Sequence, residues 1–222
     1  MLDSPNIVSE ERWSVTKLSE ARKAVADYFT QPVVRLLAKV PITPNAITWF
    51  GFLVTLGATV LIITGHLFAA GFVVLIAGFF DILDGALARG TNRASQFGAV
   101  LDSTFDRLAE AVLLLGILAL FLLTEEKSAL FAFLSREWAV LLVGVTLLGS
   151  LLVSYVRARA EALGLECRVG LFTRMERVIV LALGLLLSQI DYALIIALTI
   201  IAVFSLITVS QRLLYVWRQT KN

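Results

Sequence analysis

The chain has 222 residues, of which 59% are hydrophobic and 16% charged, with a mean hydropathy of +0.87. So apolar a chain of this size does not suit a soluble domain and reads as a multi-pass membrane protein. A net charge of only +2 gives a nucleic-acid partner no support, and the single cysteine, Cys167, excludes an intrachain disulfide and carries no redox motif.

Residues 1–14 are polar and mixed in charge, with no signal-peptide core. From Lys17 to Lys39 apolar residues recur at helical spacing (Leu18, Ala21, Val25, Tyr28, Phe29, Val33, Leu36, Leu37). The opposite face carries Glu20, Arg22, Lys23, Asp27 and Arg35. This predicts an amphipathic helix lying in the membrane interface, kinked at Pro32. Residues 1–40 are therefore read as a cytoplasmic N-terminus with an interfacial helix, and 41–222 as one membrane domain.

Thr43-Pro44-Asn45 opens the first span, with Asn45 as its cap or Pro44 in its first turn. That span runs from about Ala46 to Gly65, long enough for a hydrocarbon core of about 30 Å. His66 sits in the following turn and is read as structural. The second span runs from Leu67 to Arg89 and the third from Ser95 to Leu123. After a mixed loop at 124–136, the fourth runs from Trp138 to Ala162. The fifth, from Glu176 to Leu187, is short, and the sixth runs from Tyr192 to Trp217. The expected fold is all-α and integral to the membrane, with six transmembrane helices preceded by the interfacial one. Gly51, Gly57, Gly144 and Gly149 would allow close helix packing.

Lys and Arg fix the expected orientation. They crowd into the N-terminus, the 89–94 turn, the 157–177 stretch and the C-terminus, whereas the opposite loops hold only Lys127 and Arg136. Both termini are thus expected in the cytoplasm, at the cell membrane. Trp49, Trp138 and Trp217 fall at helix ends, as interfacial aromatics do.

Four carboxylates stand out within this apolar chain. Asp81 and Asp84 share a face of the second span, and Asp102 and Asp106 share a face of the third. Gly85 and Gly98 remove side chains beside them, and the intervening Gly90-Thr91-Asn92 and Ser95 reverse the chain. Aspartates near helix ends are often simply solvated. Here Asp81 and Asp84 approach a helix C-terminus, where the dipole disfavours negative charge, and four facing carboxylates near hydrocarbon are costly. A cation among them is the better reading. Oxygen ligands without His or Cys suit Mg2+ or Mn2+ rather than zinc.

The pattern Asp81-x2-Asp84-Gly85-x2-Ala88-Arg89-x8-Gly98-x3-Asp102-x3-Asp106 resembles the signature of the CDP-alcohol phosphotransferases, with every fixed position met. The resemblance implies a membrane enzyme that moves a phosphatidyl-type group from a CDP-linked lipid to an alcohol and releases CMP. It implies that Asp81, Asp84 and Asp102 bind metal and that Asp106 is the general base on the acceptor hydroxyl, in contact with metal as well; two ions held by these four aspartates would neutralise the donor's diphosphate. Gly85 would leave room for the nucleotide and Arg89 would pair with the donor. Ala88, Ser95, Gly98, Thr43 and Asn45 complete the candidate CDP-lipid contacts.

A second informative stretch is Ser154-Tyr-Val-Arg157-Ala-Arg159-Ala-Glu161-Ala, followed by Arg174-Met-Glu176-Arg177 and Gln211-Arg212-Leu. Arg157, Arg174, Arg177 and Arg212 all fall at cytoplasmic ends of the last three spans. Anchoring to lipid phosphates is one reading of them. A pocket for an acceptor that carries its own phosphate is the other. These segments look like those of the actinobacterial phosphatidylinositol-phosphate synthase branch, which joins CDP-diacylglycerol to inositol 1-phosphate. Two departures stand out: Arg157 lies where that branch usually has Lys, and Met175 where it has Pro. A phosphatidylglycerol-phosphate synthase, with glycerol 3-phosphate as acceptor, would also need such a pocket. A cation transporter would need its carboxylates spread through the membrane depth. The family is commonly dimeric, which implies a homodimer.

Overall fold

The computed structural model describes residues 43–90, 95–125, 134–167 and 169–221, without the side chains of 88–90. The N-terminal amphipathic helix, including Pro32, and the side chains of Ala88 and Arg89 lie outside the described residues. Among those described, every regular element is helical: α1 (Pro44–Ile63), α2 (Leu67–Gly90), α3 (Gln96–Leu123), α4 (Arg136–Ala162), α5 (Arg174–Leu186) and α6 (Ala193–Thr220).

Local chemistry sets the helix ends. Thr43, not Asn45, caps α1: its hydroxyl accepts from the Ala46 amide at 3.3 Å. Pro44 takes the first helical position, where a missing N–H costs nothing. Ser95 caps α3 by accepting from the Gly98 amide at 2.9 Å. At the start of α5, Thr173 and Glu176 form a reciprocal capping box, the Thr173 amide donating to Glu176 Oε2 at 2.9 Å. His66 Nδ1 lies 3.1 Å from the Thr64 hydroxyl in the α1–α2 turn, as a structural residue would.

The helices pack as a closed ring in the order α1, α2, α5, α6, α4, α3 and back to α1. In that ring α3 and α5 stand opposite one another. Small residues set several of the close approaches. A Cβ on Gly51 would lie 3.3 Å from Phe80, and one on Gly149 would lie 3.1 Å from Ser205. Gly57 and Gly144 have no such neighbours, so the packing role expected of them is not seen within the chain. Ile62, Leu114, Ile117, Phe121, Leu185 and Leu198 fill the interior towards one end and are buried.

Outward faces carry large exposed apolar side chains, among them Leu53, Val60, Phe72, Leu148 and Ile196. Such a surface is out of place in water and fits hydrocarbon. Four helices, α1, α2, α4 and α6, are long and apolar enough to cross a membrane. Two are not. The 13 residues of α5 extend only about 20 Å at 1.5 Å per residue. Helix α3 is long but carries Asp102, Asp106, Arg107 and Glu110 in its first 15 residues.

Candidate active site

At the other end of the ring from this core, α2 closes and α3 begins. Ligand oxygens of Asp81, Asp102 and Asp106 lie within 4.8 Å of one another there. Spacing and packing together explain the gathering. Asp102 and Asp106 are one turn apart on α3, Asp81 projects from the second half of α2, and both helices pack against α1. Trp49 and Phe52 on α1 pack edge-on against Phe105 and hold this part of α3 in place, with ring centroids 4.5 and 4.8 Å apart.

Asp84 is the fourth predicted ligand. It is buried, and its Oδ2 accepts from the Thr48 hydroxyl at 2.5 Å. It lines a narrow cavity of about 40 Å3 together with Asp81, Asp106 and Thr48. Gly85 is half-buried beside it. Gly98, Ser95 and Asn45 meet near the starts of α1 and α3: a Cβ on Gly98 would lie 3.0 Å from Ser95 Oγ and 3.2 Å from Asn45 Oδ1. Thr43, the cap of α1, lies two residues before Asn45.

The predicted arginines converge from α4, α5 and α6. Arg157, Arg174, Arg177 and Arg212 line one cavity of about 320 Å3, together with Arg107, Asp102 and Asp106. Each already has a protein partner. Arg174 Nη1 donates to Asp81 Oδ2 at 2.8 Å and also pairs with Asp106. Its Nε is buried with no acceptor among the described residues. Arg212 Nε donates to the Val169 carbonyl at 2.9 Å and Nη1 to that of Val153. Arg157 pairs with Glu161 at 2.8 Å on an exposed surface.

Arg177 is 1% exposed and makes a bidentate pair with Glu110: Nε to Oε1 at 2.5 Å and Nη2 to Oε2 at 2.7 Å. Glu110, Thr48 and Arg107 were not picked out from the sequence. Glu110 had a readable signal, since Asp102, Asp106 and Glu110 form a stripe at four-residue steps. Thr48 had none, because its partner lies 36 residues away.

Together these side chains form a carboxylate cluster opening into a cavity rich in guanidinium groups. Hard oxygen donors this close repel one another unless a cation sits among them, so the cluster suits a divalent ion. Arg174 supplies positive charge at its edge. Residues 41–213 match the family model described as CDP-alcohol phosphatidyltransferase. The chain belongs to that family, and is a transferase.

Relatives of this CDP-alcohol phosphatidyltransferase are similar over most of their length. The archaetidylinositol phosphate synthase of Methanothermobacter thermautotrophicus is 35% identical over 199 residues, 86% of this chain and 94% of that protein. The phosphatidylinositol phosphate synthase of Mycobacteroides abscessus is 37% identical over 188 residues, 83% and 81% of the two chains. Crystal structures of the phosphatidylinositol phosphate synthase of Mycobacterium tuberculosis share the fold. The one with CDP-DAG bound gives a TM-score of 0.75 at 35% identity, covering 85% of this chain and 93% of that one. The one in complex with manganese and citrate gives the same TM-score and identity, covering 85% and 88%.

Proposed function

We propose that this enzyme transfers a phosphatidyl group from CDP-diacylglycerol to inositol 1-phosphate, giving phosphatidylinositol phosphate and CMP. The observation that carries this reading is the 320 Å3 cavity in which five arginines face Asp102 and Asp106. An uncharged alcohol would gain little from so many guanidinium groups, whereas a phosphorylated polyol would be held by charge-assisted hydrogen bonds. The names of the relatives agree on an inositol phosphate product while differing in the lipid.

In this reading Asp81, Asp84, Asp102 and Asp106 hold two ions, Mg2+ or Mn2+. When bound, they neutralise the donor's diphosphate and stabilise the departing phosphate. Asp106 borders both the carboxylate cluster and the acceptor cavity, and it takes the proton from the acceptor hydroxyl. That oxygen forms a bond to the lipid-side phosphorus as the bond from phosphorus to the CMP oxygen breaks. Arg157, Arg177 and Arg212, with Arg174, hold the acceptor's own phosphate and orient its hydroxyl. Gly85, Ala88, Arg89, Ser95, Gly98, Thr43 and Asn45 contact the CDP-lipid. Thr48 holds Asp84 in place.

Six membrane-embedded helices belong to the same reading, with the charged side chains of α3 and α5 turned to the cavities inside the ring, and an interfacial helix within residues 1–40. The site and both termini then face the cytoplasmic side of the cell membrane, in a homodimer.

The test is a purified-enzyme assay with CDP-diacylglycerol and a panel of acceptors. Inositol 1-phosphate should give CMP release and lipid product; glycerol 3-phosphate, free inositol and serine should not. Preference for glycerol 3-phosphate would make the enzyme a phosphatidylglycerol-phosphate synthase.

A further inference from the structure

The ring interior is divided in two. One chamber lies among α1, α2, α3 and the edge of α5 and is lined by Thr48, Asp81, Asp84, Glu110 and Val178. The other lies among α3, α4, α5 and α6 and is lined by Arg157, Arg177 and Arg212. Asp106 and Arg174 border both. The divider is made of side chains. Helices α3 and α5 face each other across the ring without extensive backbone packing, and two ion pairs bridge them: Arg174 to Asp106, and Arg177 to Glu110.

The pairs are in register. Asp106 and Glu110 are one turn apart on α3, and Arg174 and Arg177 are one turn apart on α5. Each arginine therefore meets its own carboxylate. A bidentate grip takes the Nε edge of Arg177 and fixes the plane of its guanidinium. We infer that Glu110 is a positioning residue: it holds Arg177 one turn below Asp106 and so keeps a second guanidinium off that carboxylate. This rests on the role given above to Asp106.

The consequence follows from charge. With Glu110 neutralised, Arg177 becomes a buried cation without a counter-charge, left with the long contact from its Nη1 to the Phe172 carbonyl at 3.5 Å, which is strongly unfavourable. Asp106, one turn up the same stripe, is the next carboxylate on α3. Arg177 then competes there with the metal and with the acceptor proton.

The experiment uses full-length enzyme in detergent, comparing wild type, Glu110→Gln, Arg177→Met and the double variant. The readouts are kcat, both KM values, thermal midpoint, and Mn2+ binding by electron paramagnetic resonance. Glu110→Gln should lower kcat by about tenfold or more and weaken Mn2+ binding, with the KM for CDP-diacylglycerol unchanged. In the double variant, kcat at saturating acceptor and Mn2+ affinity should return to those of Arg177→Met alone. A role in stability alone would lower the thermal midpoint without weakening Mn2+ binding by the folded protein. That result, or a double variant as impaired as Glu110→Gln, overturns the inference. If Glu110→Gln does not fold, Glu110→Asp carries the same test, because it keeps the charge but withdraws it by one methylene. Wild-type Mn2+ affinity and kcat in folded Glu110→Asp would likewise overturn it. Should wild type reject every phosphorylated acceptor, the acceptor reading fails while the Mn2+ comparison still decides the role of Glu110.

Discussion

The acidic chamber and the basic chamber share a wall but are assembled differently. Aspartates of the first come from two helices consecutive in the chain, both packed against α1, at three- and four-residue spacings. Arginines of the second come from α3, α4, α5 and α6, and Arg212 is also held by the carbonyl of Val169 in the segment before α5. Within each helix the first is therefore a local device whose spacing follows from helix pitch, and α1 brings its two halves together. The second exists only once the ring has closed. Its arginines are also already partnered, by Glu110, Glu161, aspartates and carbonyls. Such partners hold each guanidinium in place before an anion arrives, which reduces the ordering cost of binding.

This contrast predicts that damage to the acidic chamber removes chemistry, while damage to the basic one weakens acceptor binding. The largest effect is expected for Asp106→Asn, which keeps shape but cannot take a proton. CMP release should fall by about 10²- to 10⁴-fold with an unchanged thermal midpoint; substantial residual activity would break the assignment of the base. Next comes Arg212→Ala. Losing a hydrogen bond to a charged group costs about 1.5–3 kcal/mol, so the acceptor KM should rise roughly ten- to a hundredfold. The KM for CDP-diacylglycerol should stay within about threefold, and a parallel rise in both would dissolve the division between chambers.

Gly170→Ala sharpens the same point without touching a charge. Gly170 has φ +137°, and a Cβ there would lie 2.7 Å from Thr208 Cγ2 and 3.1 Å from Arg212 Nε. The added methyl should push Arg212 aside and raise the acceptor KM by about tenfold, measured in the same assay. Arg157→Ala should have the smallest effect. Its pair with Glu161 is exposed and weak, so a change of about two- to threefold in acceptor KM is expected. A larger effect would mean that Arg157 turns inward to grip the acceptor.

Much of the fold was legible in the sequence. The helices begin and end within a few residues of the expected places because Thr43, Ser95 and Thr173 cap them and Gly65 and Gly164 end runs at positive φ. The short fifth helix was readable as short. Asp81, Asp102 and Asp106 were readable because helical spacing places them, and the arginines because basic residues in an apolar chain are few. The partners of those residues were not readable. Thr48 reaches Asp84 and Glu110 reaches Arg177 across large stretches of chain.

By itself, then, the sequence determined that this is an all-helical, apolar chain with paired carboxylates on two helices consecutive in the chain. Those features depend on composition and on contacts within a turn or two. Only the tertiary structure decided that α3 and α5 face each other across a ring, that their ion pairs split its interior, and which arginine meets which carboxylate. Those are contacts between residues far apart in the chain, and their geometry is set by how helices pack, not by the spacing of residues along any one of them.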